Sequence, residues 1–104
     1  MGKTSREKGK RGEREVASLL RTHGYDARRG VQYKGGTDSP DVVGLPHIHI
    51  EVKRTERLRL TEAMDQAIRD SQKSGAIPIV AHRANNEPWK ITMRLSDWMT
   101  LYRE

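Results

Sequence analysis

The 104-residue sequence contains no cysteine and no phenylalanine, and only 5% of its residues are aromatic. Without cysteine, disulfide bonds and thiolate metal sites are excluded. No apolar run approaches the length of a transmembrane helix. The polar, basic segment from Met1 to Arg11 does not have the apolar region of a secretory signal. We therefore expect a protein without a membrane span, with the cytoplasm as its location.

The low apolar content limits the size of the core. Hydrophobic residues make up 34% of the chain, and a chain of this length forms one domain rather than two. We predict a single domain over residues 1–104, with a basic N-terminal arm over residues 1–10. Because a thin core often gains stability when a second copy packs against it, a homodimer is expected.

The charge balance is strongly basic. Lysine and arginine number 20 against 14 acidic residues, which gives a net charge of +6. Cations placed near phosphates release condensed counterions, so this balance favours a nucleic acid as partner. The simpler alternative is a soluble basic protein without such a partner. A membrane-surface helix is disfavoured, since no segment combines a wide apolar face with a basic one.

The spacing of apolar residues predicts an α/β protein. Ile48, Ile50 and Val52 alternate with polar residues, and a period of two indicates a strand with one buried face. Thr61 and Ser96 are predicted N-caps of the second and third helices. The predicted elements are a helix over 10–23, strands over 25–29, 41–45 and 47–54, a helix over 61–74, strands over 77–82 and 89–93, and a helix over 97–102 with Trp98, Met99 and Leu101 facing inward. This order favours a mixed β-sheet flanked by helices.

Two carboxylates and a lysine form the most informative pattern. Glu51 and Lys53 lie on one face of the predicted strand, about 7 Å apart. Glu-x-Lys alone is a common surface pair, but Asp41 changes its interpretation. If residues 45–47 form the connection between the strands, Asp41 falls opposite Glu51, with Cβ atoms about 5 Å apart. A connection of different length would shift this register.

Carboxylates this close repel each other unless a cation joins them. Their oxygens suit Mg²⁺, with Mn²⁺ as a substitute, and the carbonyl of Val52 could add a neutral ligand. Lys53 could position the attacking water or offset charge developing on a phosphate. Glu13 shares the inward face of the first helix with Val16, and could complete the site. The alternative for Glu13 is a surface pair with Arg6, Arg11 or Arg14.

Three further polar residues have alternative interpretations. A zinc site with His47 and Glu51 is disfavoured, since these residues lie roughly 13 Å apart along a strand. His47 and His49 are instead expected to line the site or to sit at the turn. Gln66, on the second helix, either points toward the site or lies on the surface.

Basic residues surround the predicted site along the chain. An arm that includes Lys8, Lys10 and Arg11 is expected to hold phosphates without reading sequence, or else to be a solubilising tail. A further group flanks the acidic residues and is expected to form a phosphate-binding rim: Arg28, Arg29, Lys34, Arg54, Arg57 and Arg59.

The order of these motifs resembles a known family. Lys8-Gly9-Lys10-Arg11-Gly12-Glu13-Arg14-Glu15, Gly24-Tyr25, Arg29, Ser39-Pro40-Asp41 and Glu51-Val52-Lys53 together resemble the archaeal-type Holliday junction resolvases and their phage-encoded relatives, within the PD-(D/E)xK nucleases. The likeness covers roughly residues 8 to 80. It implies a restriction-endonuclease-like fold, a homodimer and Mg²⁺-dependent cleavage of branched DNA. If the chain is phage-encoded, its location is the host cytoplasm.

By position, the resemblance implies a role for each matched residue. Asp41 and Glu51 match the metal ligands, Lys53 the catalytic lysine and Glu13 an additional acidic residue. Arg14 and Arg29 match arginines that contact DNA, and Ser39 corresponds to a serine of the active-site loop. Two alternatives stay open: a nuclease of this fold that cuts linear or nicked duplex in repair or restriction, and a non-catalytic basic nucleic-acid-binding module.

Overall fold

A computed structural model of the chain describes residues 2–30 and 39–103, with side chains from Glu7 onward within those ranges. The described residues form three helices and five strands in the predicted order. The helices are α1 (Gly2–Thr22), α2 (Leu60–Ser71) and α3 (Leu95–Arg103), and the strands are β1 (Arg28–Arg29), β2 (Val42–Val43), β3 (Ile48–Arg54), β4 (Ile77–Arg83) and β5 (Lys90–Thr92).

The five strands form one mixed sheet in the order β1-β2-β3-β4-β5. β1, β2 and β3 pair antiparallel, β3 and β4 pair parallel, and β5 returns antiparallel to β4. Val42 pairs with Ile50, which is the register that a connection over residues 45–47 predicts. The parallel pair needs a crossover, and α2 provides it. The predicted α/β fold is confirmed.

The two faces of β3 and β4 carry different packing partners. Ile50 and Ile79 belong to the core beneath α1, together with Val16 and Ala17 of that helix. On the opposite face, Val80 packs with a second cluster that contains small residues of α2, Ala63 and Ala67. Because strand side chains alternate between faces, Glu51 and Lys53 lie on the α2 side of the sheet.

The helix ends differ from the sequence-based prediction. α1 begins at Gly2, so the described part of the basic segment 1–10 is helical and continuous with the predicted helix. α2 begins one residue earlier than predicted, with Arg59 in the N-cap position and no side-chain cap. Thr61 and Ser96 lie inside α2 and α3, so both predicted caps are wrong. Local residue preference predicts a cap only weakly, because tertiary packing decides where a helix begins.

The prediction that Trp98, Met99 and Leu101 of α3 face the interior is also wrong within a single chain. α3 has no buried residue, and Trp98 and Leu101 are 47% and 40% exposed. Trp98 stacks on Tyr102, with 5.3 Å between the ring centroids. Among the described residues, no helix has both the length and the apolar character of a membrane span.

Candidate active site

Asp41, the residue before β2, lies beside Glu51, in the middle of β3. The Val42–Ile50 pairing places the residue before β2 beside Glu51. Glu51 is 2% exposed. The backbone N–H of Val52 donates a hydrogen bond to Oδ2 of Asp41 at 2.8 Å, and the N–H of Asp41 donates to the carbonyl of Ile50 at 2.8 Å. Two backbone contacts therefore hold Asp41 against β3.

The electrostatics of this pair are unfavourable without a cation. Burial, and then the negative charge of Glu51, raise the pKa of Asp41 from its ordinary value of 3.8 to about 6. The hydrogen bond from Val52 and the positive charge of Lys53 lower this pKa but offset only part of the rise. A divalent cation between the two carboxylates would remove the repulsion. This donor set of hard oxygens therefore fits Mg²⁺ or Mn²⁺.

Lys53 lies two residues after Glu51 on β3, and a side chain of α2 holds it in place. Its Nζ donates a hydrogen bond to Oε1 of Gln66 at 3.2 Å, and both side chains are half-buried. Gln66 thus points to the site rather than lying free on the surface. The contact fixes the lysine cation beside the carboxylates, where it can face a phosphate.

On the other side of Glu51, the same face of β3 carries His49. Its Nε2 lies 2.9 Å from Oε1 of Glu51, and His49 is 3% exposed. A ligand atom of Asp70, on α2, lies within 4.8 Å of both residues. His47 does not share this position, because it lies in the turn before β3 with a positive φ of 67°.

Glu13 is half-buried on α1 and pairs with a residue of β1. Arg29 donates from Nε to Oε1 of Glu13 at 2.9 Å. Arg29 also pairs across the sheet with Val42, so this ion pair adjoins the strand that follows Asp41. Among the described side chains, Glu13 therefore pairs with Arg29, and with neither Arg11 nor Arg14; the side chain of Arg6, the third alternative, lies outside the described residues.

A close backbone approach brings the end of β1 to the site. Gly30 donates its N–H to the carbonyl of Asp41 at 2.8 Å. A Cβ atom at Gly30 would lie 2.2 Å from the carbonyl oxygen of Pro40, so only glycine fits there. Ser39 precedes this contact and is half-buried.

The predicted DNA-binding residues fall into separate groups. Lys10, Arg11 and Arg14 are exposed on α1, so their charges are available to a phosphate backbone. Nζ of Lys8 lies 3.8 Å from Oε2 of Glu56, so this lysine forms an ion pair within the protein. The side chain of Arg54 is only 10% exposed and is hydrogen-bonded to Glu56 and Asn85, so its guanidinium is engaged within the protein. Lys34 lies outside the described residues.

His49 lies beside Glu51, in keeping with the expectation that it lines the site, whereas Asp70, which lies near both residues, was not assigned by sequence reasoning. His49 gave a signal, since it is two residues from Glu51 on the same strand face. Asp70 gave one only in relation to Gln66, because residues four apart share a helix face. Neither signal says which strand the helix covers.

The site combines three residues on a mixed sheet between helices: a buried glutamate on a strand, a lysine two residues later, and an aspartate just before the neighbouring strand. This combination defines the class of metal-dependent endonucleases called PD-(D/E)xK nucleases. The profile of the archaeal Holliday junction resolvase family (Hjc) matches residues 4–100. The chain belongs to this family, and is therefore a structure-selective, metal-dependent endonuclease.

One solved structure supports the same assignment. The chain is similar to Hjc, a Holliday junction resolvase of the archaeal hyperthermophile Archaeoglobus fulgidus, with a TM-score of 0.64 and 26% sequence identity over 83% of this chain and 72% of that chain. A comparison with curated proteins found no significant match.

Proposed function

We propose that this chain resolves four-way DNA junctions by hydrolysing phosphodiester bonds, with Mg²⁺ held by Asp41 and Glu51 and with Mn²⁺ as a substitute. One observation carries the proposal: the two carboxylates meet across adjoining strands so closely that the charge of Glu51 helps raise the pKa of Asp41. Lys53 is two residues away on the face that holds Glu51. Cleavage by a single nuclease domain over residues 1–104 is part of this proposal.

Each residue then has a defined task. When bound, Mg²⁺ would activate a water molecule and polarise the phosphate. The N–H of Val52 holds the carboxylate of Asp41 in place. Lys53, fixed by Gln66, supplies positive charge where negative charge develops on the phosphate. Glu13 and the carbonyl of Val52 are proposed as further ligands, which requires Glu13 to turn from Arg29 or to share its carboxylate.

Residues on α1 are proposed to bind the DNA backbone. Lys10, Arg11 and Arg14 are exposed on one helix, and cations in this arrangement bind phosphates without reading bases. Arg29 is proposed to contact a phosphate near the site, which would weaken its ion pair with Glu13. The remaining proposed DNA contacts are Lys8, Lys34, Ser39 and Arg54.

The cleavage test compares a four-way junction with a linear duplex of the same sequence in Mg²⁺. Paired, symmetrical nicks in the junction are expected from wild type. Asp41→Asn and Lys53→Ala should bind the junction and fail to cut it, whereas the matched variants Asp65→Asn and Lys90→Ala should cut normally. Equal cutting of both substrates would favour the alternative of a linear-duplex nuclease. No cutting in Mg²⁺ or Mn²⁺ would favour the non-catalytic binding module.

We also propose that the active form is a homodimer, because two-fold symmetry presents two sites to two opposed strands of a junction. The exposed face of α3 supports this proposal. Leu95, Trp98 and Tyr102 are 74%, 47% and 72% exposed, beside a groove of about 660 Å³ that includes Leu101 and Ile91. Contiguous apolar surface of this kind usually marks an interface.

The oligomeric state tests the dimer directly. Wild type should sediment as a dimer at micromolar concentration, and Trp98→Glu should sediment as a monomer with unchanged circular dichroism. Thr61→Glu, an exposed change on α2, serves as the control and should leave the dimer intact. A monomeric wild type that still makes paired nicks would contradict the proposal.

A further inference from the structure

Glu51 needs more than its position on a strand to act as a metal ligand. The terminal torsion of a glutamate side chain has a broad, roughly two-fold profile, so the backbone does not set how its oxygens face a cation. A neighbouring group must fix this rotation. The side chain of Glu51 is 3% exposed, so that group has to come from the protein.

His49 has the geometry to fix it. Its Nε2 lies 2.9 Å from Oε1 of Glu51. An ionised carboxylate can only accept hydrogen bonds, so Nε2 must carry the hydrogen and donate it when Glu51 is ionised. The His49 side chain is itself 3% exposed and lies on a central strand between β2 and β4. The donor is therefore rigid.

α2, which packs on the same face of β3, lies next to the His49–Glu51 pair. Asp70 places a carboxylate oxygen within 4.8 Å of the ligand atoms of His49 and Glu51. One helical turn earlier, Gln66 holds Lys53. Residues four apart lie on the same helix face, so one face of α2 places Gln66 on Lys53 and Asp70 near Glu51. Ala63 and Ala67, on the packed side of α2, have small side chains that allow this close approach.

We infer that His49 is a positioning residue, which donates a hydrogen bond from Nε2 to Oε1 of Glu51 and so orients that carboxylate toward the metal shared with Asp41. The inference rests on the proposed function, since it assumes that Glu51 is a ligand. His49 does not contact the substrate. It acts through Glu51, and a carboxylate oxygen of Asp70 lies within 4.8 Å of its ligand atom on the α2 side. Hydrogen bonds to metal ligands of this kind typically contribute 10- to 100-fold to metal affinity.

Two conservative variants isolate the hydrogen bond from the fold. The amide nitrogen of His49→Gln can occupy the position of Nε2 and donate to Glu51. The amide nitrogen of His49→Asn ends about one bond length short of that position and cannot make the same contact. Both variants stay polar and of similar size, so they differ mainly in reach. Ile79→Ala, on the opposite face of the sheet, serves as a control for loss of stability.

The readout is Mn²⁺ binding to the full chain without DNA, measured by electron paramagnetic resonance and by calorimetry, with folding checked by circular dichroism. We expect His49→Asn to bind Mn²⁺ 10- to 100-fold more weakly than wild type. His49→Gln should stay within about threefold of wild type, and Ile79→Ala should bind normally. In cleavage assays, His49→Asn should need a correspondingly higher Mg²⁺ concentration for half-maximal rate.

Two results would overturn the inference. In the first, His49→Asn binds Mn²⁺ as tightly as wild type. In the second, the variant loses one bound ion per chain while the affinity of another ion is unchanged, which would make His49 a ligand of an ion of its own. Junction cleavage by wild type is a separate measurement. If wild type binds Mn²⁺ but never cuts a junction, the proposed function fails while the role of His49 in metal binding still stands.

Discussion

The burial of Asp41 and its repulsion from Glu51 together predict that the metal-free protein becomes more stable when Asp41 is replaced by asparagine. The pKa of Asp41 is raised from 3.8 to about 6 by burial and by Glu51. Each pKa unit corresponds to 1.36 kcal/mol, so the ionised carboxylate costs the folded state about 3 kcal/mol. Asparagine is neutral, and its side-chain oxygen can still accept the hydrogen bond from Val52.

The sign of the pH dependence follows from the direction of this shift. The folded chain holds the Asp41 proton more tightly than the unfolded chain does. The contribution of Asp41 to stability is therefore most favourable below its ordinary pKa of 3.8 and is lost as the pH rises to about 6. The wild-type protein should lose this contribution between these values, and Asp41→Asn should not.

The assay is urea denaturation in EDTA at pH 4 and pH 8. At pH 8, Asp41→Asn should exceed wild type by about 2–3 kcal/mol in free energy of unfolding, and at pH 4 the two should differ by much less. Asp65→Asn, at an exposed position of α2, is the matched control and should stay within about 0.5 kcal/mol of wild type at both pH values. Saturating Mg²⁺ should then stabilise wild type far more than Asp41→Asn. If Asp41→Asn is no more stable than wild type at pH 8 in EDTA, ionised Asp41 does not destabilise the metal-free fold and the argument for a cation at this site is refuted.

Two further predictions concern helix packing and the lysine. Gly12→Ala should lower the melting temperature, because its Cβ would lie 2.9 Å from Cβ of Arg54, and overpacking of this kind costs about 1–3 kcal/mol. Gly9→Ala has open space around the added Cβ and should raise the melting temperature through helix propensity; equal effects of the two changes would contradict this packing of α1. Gln66→Ala should reduce kcat for junction cleavage about tenfold with KM unchanged, since Lys53 loses a charge-fixing contact. A larger change in KM than in kcat would mean that Gln66 contributes to DNA binding instead.

Much of the fold was predictable from local pattern. The alternation of Ile48, Ile50 and Val52 with polar residues predicted β3 and the face on which Glu51 and Lys53 lie. Turn length then predicted the register with β2, and the Val42–Ile50 pairing confirms it. These features depend on short stretches of chain, where residue period and connection length leave few alternatives.

The ends and faces of the helices were harder to predict. Thr61 and Ser96 have good capping chemistry, yet both lie within helices that begin earlier. Trp98 and Leu101 have the spacing of an inward face, yet both are exposed. Apolar spacing along a helix predicts a face suited to burial, but the sequence does not say whether the same chain buries it.

The sequence by itself determined which groups meet at the centre of the candidate site: two acids and a lysine, spaced so that neighbouring strands bring them together. Only the tertiary structure decided what surrounds them. Gln66 and Asp70 reach Lys53 and Glu51 because α2 packs across β3, and Arg29 meets Glu13 because α1 packs across β1. These partners are more than ten residues apart in the chain. Their contacts depend on how closely and in which direction a helix crosses the sheet, which is set by the packing of both elements and not by the spacing within either one.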